Sequence, residues 1–197
     1  QIVLKRHFRR KKVRENACIN DLATTPLPGK KALVVITAGK SMRANGYLDR
    51  LIDMLDKQGI GHALFDKILP NPVLRHVHEG AALAREQGCD FVIGLGGGSS
   101  IDSAKSIAVM AKNPGDYWDY ISGGSGKGQP LVNGALPIVA IATTAGTGTE
   151  ADPWTVITKE DTNEKIGFGC AETFPVLSVV DPEMMLTIPA HLTAYQG

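Results

Sequence analysis

Cysteine is scarce in this 197-residue chain, and its placement excludes two common structural roles. Cys18, Cys89 and Cys170 are odd in number, far apart and never part of a C-x-x-C pair. Neither a disulfide framework nor a zinc cluster is therefore indicated, and the pattern favours the cytoplasm. Long apolar runs and a secretory signal pattern are absent too, so we expect no membrane partner.

Catalytic motifs built on histidine or serine are also missing. The five histidines are scattered, and the sequence contains neither H-E-x-x-H nor G-x-S-x-G. His76 and His78 lie two residues apart on a predicted helix, where they point to different faces and make poor partners for one metal ion. The sequence therefore assigns no catalytic residue and no metal ligand.

Acidic residues are absent from the first 14 positions, which carry seven lysines and arginines. The remaining residues include 14 basic and 20 acidic ones, a net charge of −6. A basic arm can bind nucleic acid, but this one lacks aromatic interleaving and a DNA-binding motif. We therefore expect a solvated terminal segment and no nucleic-acid partner.

A glycine turn between a strand and a helix is the most informative feature present. The apolar run Phe91–Ile93 predicts a buried strand, Gly94–Ser99 forms the turn, and apolar residues at helical spacing follow from Ile101. Helix-start N–H groups and the helix dipole favour an anion, and glycine permits close approach and a positive φ, which we expect at Gly97. We predict a phosphate-binding turn; the alternative is a tight connection without a ligand.

The turn differs from the common dinucleotide fingerprint. Gly94, Gly96 and Ser99 have G-x-G-x-x-G spacing, with serine in the third place. That fingerprint usually follows the first strand of its domain, with an acid about twenty residues later. Here two predicted strands come first, and Asp116 and Asp119 lie in a predicted loop. A variant nucleotide-binding fold is therefore expected.

Strand and helix patterns alternate along the chain, which indicates an α/β layer fold with a mainly parallel sheet. We predict one helix from Met42, capped by Ser41, an irregular segment over 1–29 and a flexible surface loop over 113–135. The predicted strands are Lys31–Thr37, His62–Phe65, Phe91–Ile93 and Pro137–Ala142, with short apolar runs at Val156–Thr158 and Val176–Val180.

Small polar residues follow three predicted strands, at Gly39, Gly96 and Thr143. Ligands of open parallel sheets bind beyond the carboxyl ends of the strands, so these turns can converge on one ligand. Hydroxyl donors are offered by Thr143, Thr144, Thr147 and Thr149. The alternative for these threonines is a capped loop without a ligand.

Four separated motifs together resemble the iron-containing (group III) alcohol dehydrogenase family. They are Asn71 in Pro70-Asn71-Pro72, Gly96–Ser99 with Asp102 and Lys105, Thr143–Gly148 with Glu150, and Lys165 with Val180–Glu183. The resemblance covers residues 30–197. It implies a Rossmann-like three-layer domain, similar to dehydroquinate synthase, in an NAD(P)-dependent enzyme that interconverts alcohols with aldehydes or ketones by metal-assisted hydride transfer.

The resemblance also implies a cofactor site. Gly96, Gly97, Gly98 and Ser99 would bind the pyrophosphate, while Asn71, Thr143, Thr144, Thr147 and Lys165 would line the pocket, with Asp102 close by. Gly39 stands where NAD users of the family often carry an acid, and Lys40 follows it. We therefore expect NADP(H) to be accepted at least as well as NAD(H).

Two departures from the family pattern set the expected domain boundaries. Phe8–Glu15 lacks the usual F-G pair, and the metal-binding acid and histidines that would follow Tyr195–Gly197 are not in the sequence. We expect a basic segment over 1–29, the NAD(P) domain over 30–182, and a connection over 183–197 into an absent helical metal domain. Iron or another divalent ion is expected only in the full-length enzyme, and this chain alone is expected to be inactive.

Other interpretations of the sequence stay open. A glycerol-dehydrogenase-like or dehydroquinate-synthase-like enzyme has a similar fold, and a nucleotide-binding fragment without activity fits the same turns. The expected partner is a small alcohol or aldehyde, and a homo-oligomer is left open.

Overall fold

The computed structural model describes residues 2–5 and 19–196. Its central sheet has six strands in the order β1-β8-β5-β4-β2-β3, and β1 alone runs antiparallel to its neighbour. A separate antiparallel hairpin consists of β6 and β7. The strands are β1 (Ile2–Lys5), β2 (Lys31–Thr37), β3 (Gly61–Ile68), β4 (Phe91–Gly96), β5 (Ile138–Ala142), β6 (Thr155–Lys159), β7 (Glu164–Phe168) and β8 (Leu177–Val180).

Helices cover both faces of the sheet, so the domain has three layers. None of the helices in the described ranges is both long enough and apolar enough to span a bilayer. The helices are α1 (Ser41–Ala44), α2 (Tyr47–Lys57), α3 (Leu74–Glu86), α4 (Gly98–Lys112) and α5 (Ala190–Gln196), with 3-10 turns at Ile19–Ala23, Tyr117–Tyr120, Ala171–Thr173 and Pro182–Met185.

Strand β2 shows why the sheet is parallel and central. Val34 and Ile36 pack in the core on the α2 side, whereas Leu33 and Val35 pack in the core on the α3 and α4 side. A strand buried on both faces needs a continuous apolar run rather than an alternating one. The predicted α/β, Rossmann-like class with a mainly parallel sheet is therefore confirmed.

The position of the glycine turn follows from strand order. β2 pairs with both β3 and β4, and the chain continues from β4 to β5 on the side away from β3. The order therefore reverses between β2 and β4. In open α/β sheets the crevice outside such a switch point is the usual ligand site.

The helix predicted from Met42 is interrupted. It divides into α1 and α2, because Gly46 adopts a left-handed conformation with φ of 69° between them. Asn45-Gly46 is a pair that favours such turns. Ser41 is also not the predicted cap: it is the first residue of α1, and Lys40 occupies the cap position without a side-chain hydrogen bond.

The first 29 residues are not irregular throughout, as the sequence had predicted. Ile2–Lys5 forms β1, and Ile19–Ala23 forms a 3-10 turn whose Ile19 and Leu22 are fully buried in the core. Strand β1 forms because its backbone pairs with β8, a contact that the local sequence of β1 does not predict. The basic residues at 6–14, the predicted departure at Phe8–Glu15 and Cys18 lie outside the described residues.

The predicted flexible surface loop over 113–135 is anchored in its first part, whereas residues 122–134 form neither helix nor strand and are mostly exposed, as a surface loop is. Tyr117 and Trp118 are buried in a 3-10 turn, and the Asp116 carboxylate accepts a hydrogen bond of 2.7 Å from the Trp118 N–H. Burial of these aromatic rings stabilises the segment, although the polar and glycine residues around them favour an exposed loop.

Candidate functional site

The glycine turn joins β4 to the N-terminus of α4 in a geometry that differs in one detail from expectation. Positive φ occurs at Gly96, at 142°, whereas Gly97 is extended with φ of −82° and ψ of −171°. The prediction of positive φ at Gly97 is therefore wrong. The glycine with positive φ lies one position earlier, at the last residue of β4, where a Cβ atom would also lie 2.6 Å from the Ser100 hydroxyl oxygen.

The start of α4 is suited to an anion. The Gly97 carbonyl accepts the first helical bonds, from the N–H groups of Ser100 and Ile101. The N–H groups of Gly98 and Ser99 therefore precede the hydrogen-bonded ladder, as the first groups of a helix must. The first turn of this 15-residue helix carries no acidic side chain, so its positive dipole end is not offset by a carboxylate there.

The threonine segment after β5 packs against this turn. The Thr143 N–H donates a 3.0 Å hydrogen bond to the Gly96 carbonyl. A Cβ atom at Gly97 would lie 3.0 Å from the Thr144 hydroxyl oxygen, and one at Gly98 would lie 3.1 Å from a Thr147 methyl carbon. The lack of side chains at these two glycines lets the threonine segment pack directly against the turn, and we call the resulting arrangement of backbone N–H and threonine hydroxyl groups the cradle.

The loop before α3 closes the other side. The Ser99 hydroxyl donates to the Pro70 carbonyl, and the Lys165 ammonium donates a 3.1 Å hydrogen bond to the Asn71 side-chain oxygen. Between these groups lies a cleft of about 250 Å³. Its lining residues are Pro70, Asn71, Pro72, Gly98, Ser99, Asp102, Thr147, Thr149, Asp152, Trp154, Val156 and Lys165.

Asp102 connects α4 to the wall of the cleft. Its two carboxylate oxygens accept a 2.6 Å hydrogen bond from the Thr149 hydroxyl and a 3.0 Å hydrogen bond from the Val156 N–H. Burial raises the pKa of Asp102, while these two hydrogen bonds and nearby Lys105 act in the opposite direction. With both oxygens engaged, the carboxylate holds β6 against the helix.

Lys105 follows one turn later and is completely buried. Its ammonium lies 2.8 Å from the Thr149 hydroxyl, 2.9 Å from the Asp152 carbonyl and 2.8 Å from the Trp154 carbonyl. It also forms a 3.2 Å ion pair with the Asp152 carboxylate. Burial lowers the pKa of Lys105, and the Asp152 charge opposes that effect.

Gly39 and Lys40 stand apart from the residues that line the cleft. They follow β2, which neighbours β4, and both are exposed. A Cβ atom at Gly39 would meet only the Thr37 hydroxyl oxygen, at 3.8 Å, so the position has open space for a side chain.

A metal site does not emerge within the described ranges, where no three His, Cys, Asp or Glu side chains group around a point. His76 is buried and His78 is half-buried on α3. The described residues therefore give no ligand set for iron.

The family model for iron-containing alcohol dehydrogenases matches residues 10–182. This chain belongs to that family. A protein named choline dehydrogenase from Bacillus subtilis (strain 168) is 40% identical over 167 residues, which cover 85% of this chain and 40% of that protein. The resemblance predicted from the four motifs is therefore confirmed.

Several solved structures have the same fold. NADH-dependent butanol dehydrogenase A from Thermotoga maritima matches with a TM-score of 0.78 at 37% identity, over 85% of this chain and 40% of that one. Sulfoacetaldehyde reductase from Bifidobacterium kashiwanohense, solved in complex with NAD⁺, matches with a TM-score of 0.71 at 31% identity, over 81% and 40%. The chain thus spans about 40% of the length of these relatives.

Part of the site in this family member was not predicted from the sequence. Asp152, Trp154 and Val156 line the cleft, and Lys105 lies directly behind it. One signal was available, because Lys105 occupies a helical position on the same face as Ile101, Ala104 and Ala108, where an apolar residue is expected. The chain segment that faces it, about 45 residues later, carries no such signal.

Proposed function

We propose that this chain binds NAD(P)(H) and forms the cofactor side of an enzyme that interconverts alcohols with aldehydes or ketones. The observation that carries the proposal is the cradle at Gly97 and Gly98, where a helix N-terminus packs against Thr144 and Thr147 and where Gly98 and Thr147 line the cleft. Helix-start N–H groups and threonine hydroxyls are donors that suit the two phosphates of a dinucleotide. The relatives described as NADH-dependent or NAD⁺-bound support the same cofactor class.

The remaining predicted residues have distinct proposed roles around that anchor. Asn71 and Lys165, joined by their hydrogen bond, close the cleft opposite the helix and present an amide and a cation to the ligand. Asp102 keeps β6 in place through Thr149 and Val156. Thr143 fixes the threonine segment to the end of β4.

In the proposed hydride transfer, the bound cofactor and the residues of this chain have different roles. A bound nicotinamide provides or accepts a hydride. This chain would bind and orient that cofactor, while its described residues supply neither a metal ligand set nor an assigned acid or base. The substrate, the metal requirement, the cytoplasmic location and any homo-oligomer stay predictions for the whole protein.

Calorimetric titration of the purified chain with NADH and NADPH tests the proposal. Both should bind, and inorganic pyrophosphate should compete, because the phosphates are expected to provide the main anchor. Added salt should weaken binding, since a charged ligand at a helix terminus is screened. No binding of either nucleotide at millimolar concentration would overturn the proposal.

Turnover assays separate the enzyme from the alternative of a binding fragment without activity. The chain should be assayed anaerobically with NAD(P)⁺, ferrous ion and a series of short alcohols. Hydride transfer to the nicotinamide supports an enzyme in this chain, whereas binding without turnover supports a cofactor domain that needs further residues.

A further inference from the structure

A buried lysine at the back of the cleft has no role in the proposed chemistry. Lys105 is fully buried, and a charge is placed in a protein interior at high cost unless oxygen partners replace its hydration. Here four oxygen atoms, two of them backbone carbonyls, lie within 2.8 to 3.2 Å of its ammonium. The ammonium has three N–H donors, so all can be directed at this oxygen cage.

The oxygens belong to one short segment, 149–154, which supplies Thr149, Asp152 and Trp154 to the cleft. Between β5 and β6 this segment forms neither helix nor strand in the described structure. Other bonds of the segment run from the Ala151 N–H to the Gly148 carbonyl at 2.8 Å, from the Trp154 N–H to the Asp152 carboxylate at 2.8 Å and from the Thr149 hydroxyl to the Trp154 carbonyl at 3.4 Å, and the Glu150 carbonyl accepts from the Ser178 hydroxyl of β8. The bonds from Lys105 join it to α4, the helix that also carries the phosphate cradle.

We propose that Lys105 is a positioning residue for the cofactor: its ammonium acts as a built-in cation around which residues 149–154 fold to form one wall of the cleft. The inference rests on the proposed nucleotide function. The lysine does not touch the ligand space itself, because the cleft is lined by the residues that it holds and not by Lys105. Its effect on nucleotide affinity passes through Thr149, Asp152 and Trp154.

The cage requires a compact cation. Lysine carries a point charge on a flexible stem, whereas arginine carries a wide planar fork that needs a different arrangement of acceptors. Lys105→Ala would leave the four oxygens around a space that n-propylammonium, the missing part of the side chain, can refill. Chemical rescue by that ion is a result that a general loss of packing would not produce.

Hydrogen exchange and NADH titration test the inference on the whole chain. Lys105→Ala should speed exchange of the amides in 149–156 by about tenfold or more and weaken NADH binding by a similar factor, since bonds to charged groups are lost. Adding n-propylammonium should restore both, and n-propanol or sodium chloride at equal concentration should restore neither. Lys112→Ala, a matched change at the exposed end of the same helix, should leave exchange and binding unchanged.

The outcomes separate this inference from the proposed function. If wild type fails to bind NADH, the proposed function is overturned together with the nucleotide part of this inference. Hydrogen exchange still shows in that case whether Lys105 orders residues 149–154. If wild type binds and Lys105→Ala binds equally, the inference alone is overturned. Should Lys105→Ala not fold, Thr149→Val removes one oxygen of the cage, and unchanged exchange of the segment together with unchanged NADH affinity would overturn the inference.

Discussion

Two glycine-rich segments of this protein look alike in composition and differ in the use of their backbone. In Gly94–Gly98, the N–H groups that open α4 point out of a helix start, beside the cleft. In Gly123–Gly128, the Gly126 N–H donates to the Gly123 carbonyl at 2.8 Å, and the Gly128 N–H donates to the Ile121 carbonyl at 2.9 Å. Two donors of the second segment are thus used in local turns, and a third, the Ser125 N–H, donates to the Glu164 carboxylate.

The reason for glycine differs accordingly. A Cβ atom at Gly126 would overlap the Ile121 carbonyl oxygen, so the residue is needed for the chain to fold back on itself. At Gly97 the nearest atom is the Thr144 hydroxyl oxygen, a group at the edge of the candidate cofactor site. The partners of the backbone donors therefore distinguish the candidate ligand turn from the structural turn, whereas glycine content does not.

The largest expected effect comes from Gly97→Val. The extended backbone with φ of −82° accepts valine, so the chain should fold, but a Cβ atom there already lies 3.0 Å from the Thr144 hydroxyl oxygen, so the branched side chain would displace the threonine that faces the helix start. We expect NADH affinity to fall by about 100-fold or more, close to 3 kcal/mol. Calorimetry on both proteins measures it.

Gly61→Val is the matched control for that change. Gly61 lies at the amino end of β3, exposed, and a Cβ atom there would meet the flexible Lys31 side chain at 3.4 Å. Its NADH affinity should equal that of wild type. Equal affinity in the Gly97 variant as well would show that no phosphate occupies the cradle.

Gly126→Ala should lower folding stability and leave nucleotide affinity unchanged, the opposite of the result expected for Gly97→Val. Overlap with the Ile121 carbonyl forces the backbone to shift, which we expect to cost about 1–3 kcal/mol of folding stability in urea denaturation. Nucleotide affinity of the folded protein should stay within about twofold of wild type, because the segment has no part in the cradle. A large loss of affinity with normal stability would reverse the assignment of the two segments.

Gly39 differs from Gly97 and Gly126 because a side chain at this position would meet open space. Because only the Thr37 hydroxyl lies near a Cβ atom at Gly39, Gly39→Asp should fit without loss of stability. Its carboxylate would repel a 2′-phosphate and accept bonds from ribose hydroxyls, so preference should move toward NADH by about tenfold. Competitive titration of NADH against NADPH measures this. A wild type that already strongly prefers NADH, with no change in the variant, would show that this turn does not contact the ribose.

The sequence predicted what depends on local pattern. The apolar run before Gly94 and the helical spacing after Ile101 determine a strand–turn–helix unit on their own, and the buried strands follow from continuous apolar runs. Lys105 was not predicted as part of the site because its partners at 149–154 are distant in sequence and meet it only in the folded chain. Tyr117 was missed because its 3-10 turn combines a local cap from Asp116 with burial of the aromatic rings against the core, and the burial depends on distant residues.

The smallest expected effect is a pH dependence of folding stability that arises from an ion pair beside the Gly123–Gly128 segment. The Lys127 ammonium lies 2.8 Å from the Asp119 carboxylate and, through that hydrogen bond, lowers the pKa of Asp119 below its ordinary 3.8. A carboxylate with a lowered folded-state pKa stabilises the protein above the unfolded value, and this contribution disappears as the pH falls through the folded value. Lys127 is well exposed, so solvent screening keeps the effect small.

Lys127→Met should therefore flatten the acid limb of the stability curve. Thermal unfolding of both proteins at about pH 5 and about pH 3 measures it, because this interval spans the ordinary carboxyl pKa. Wild type should lose more of its melting temperature across the interval than the variant does, while NADH affinity at neutral pH stays equal in the two. Parallel losses would mean that the pair does not stabilise the Gly123–Gly128 segment, and that its backbone bonds from Gly126 and Gly128 hold the turn without help from charge.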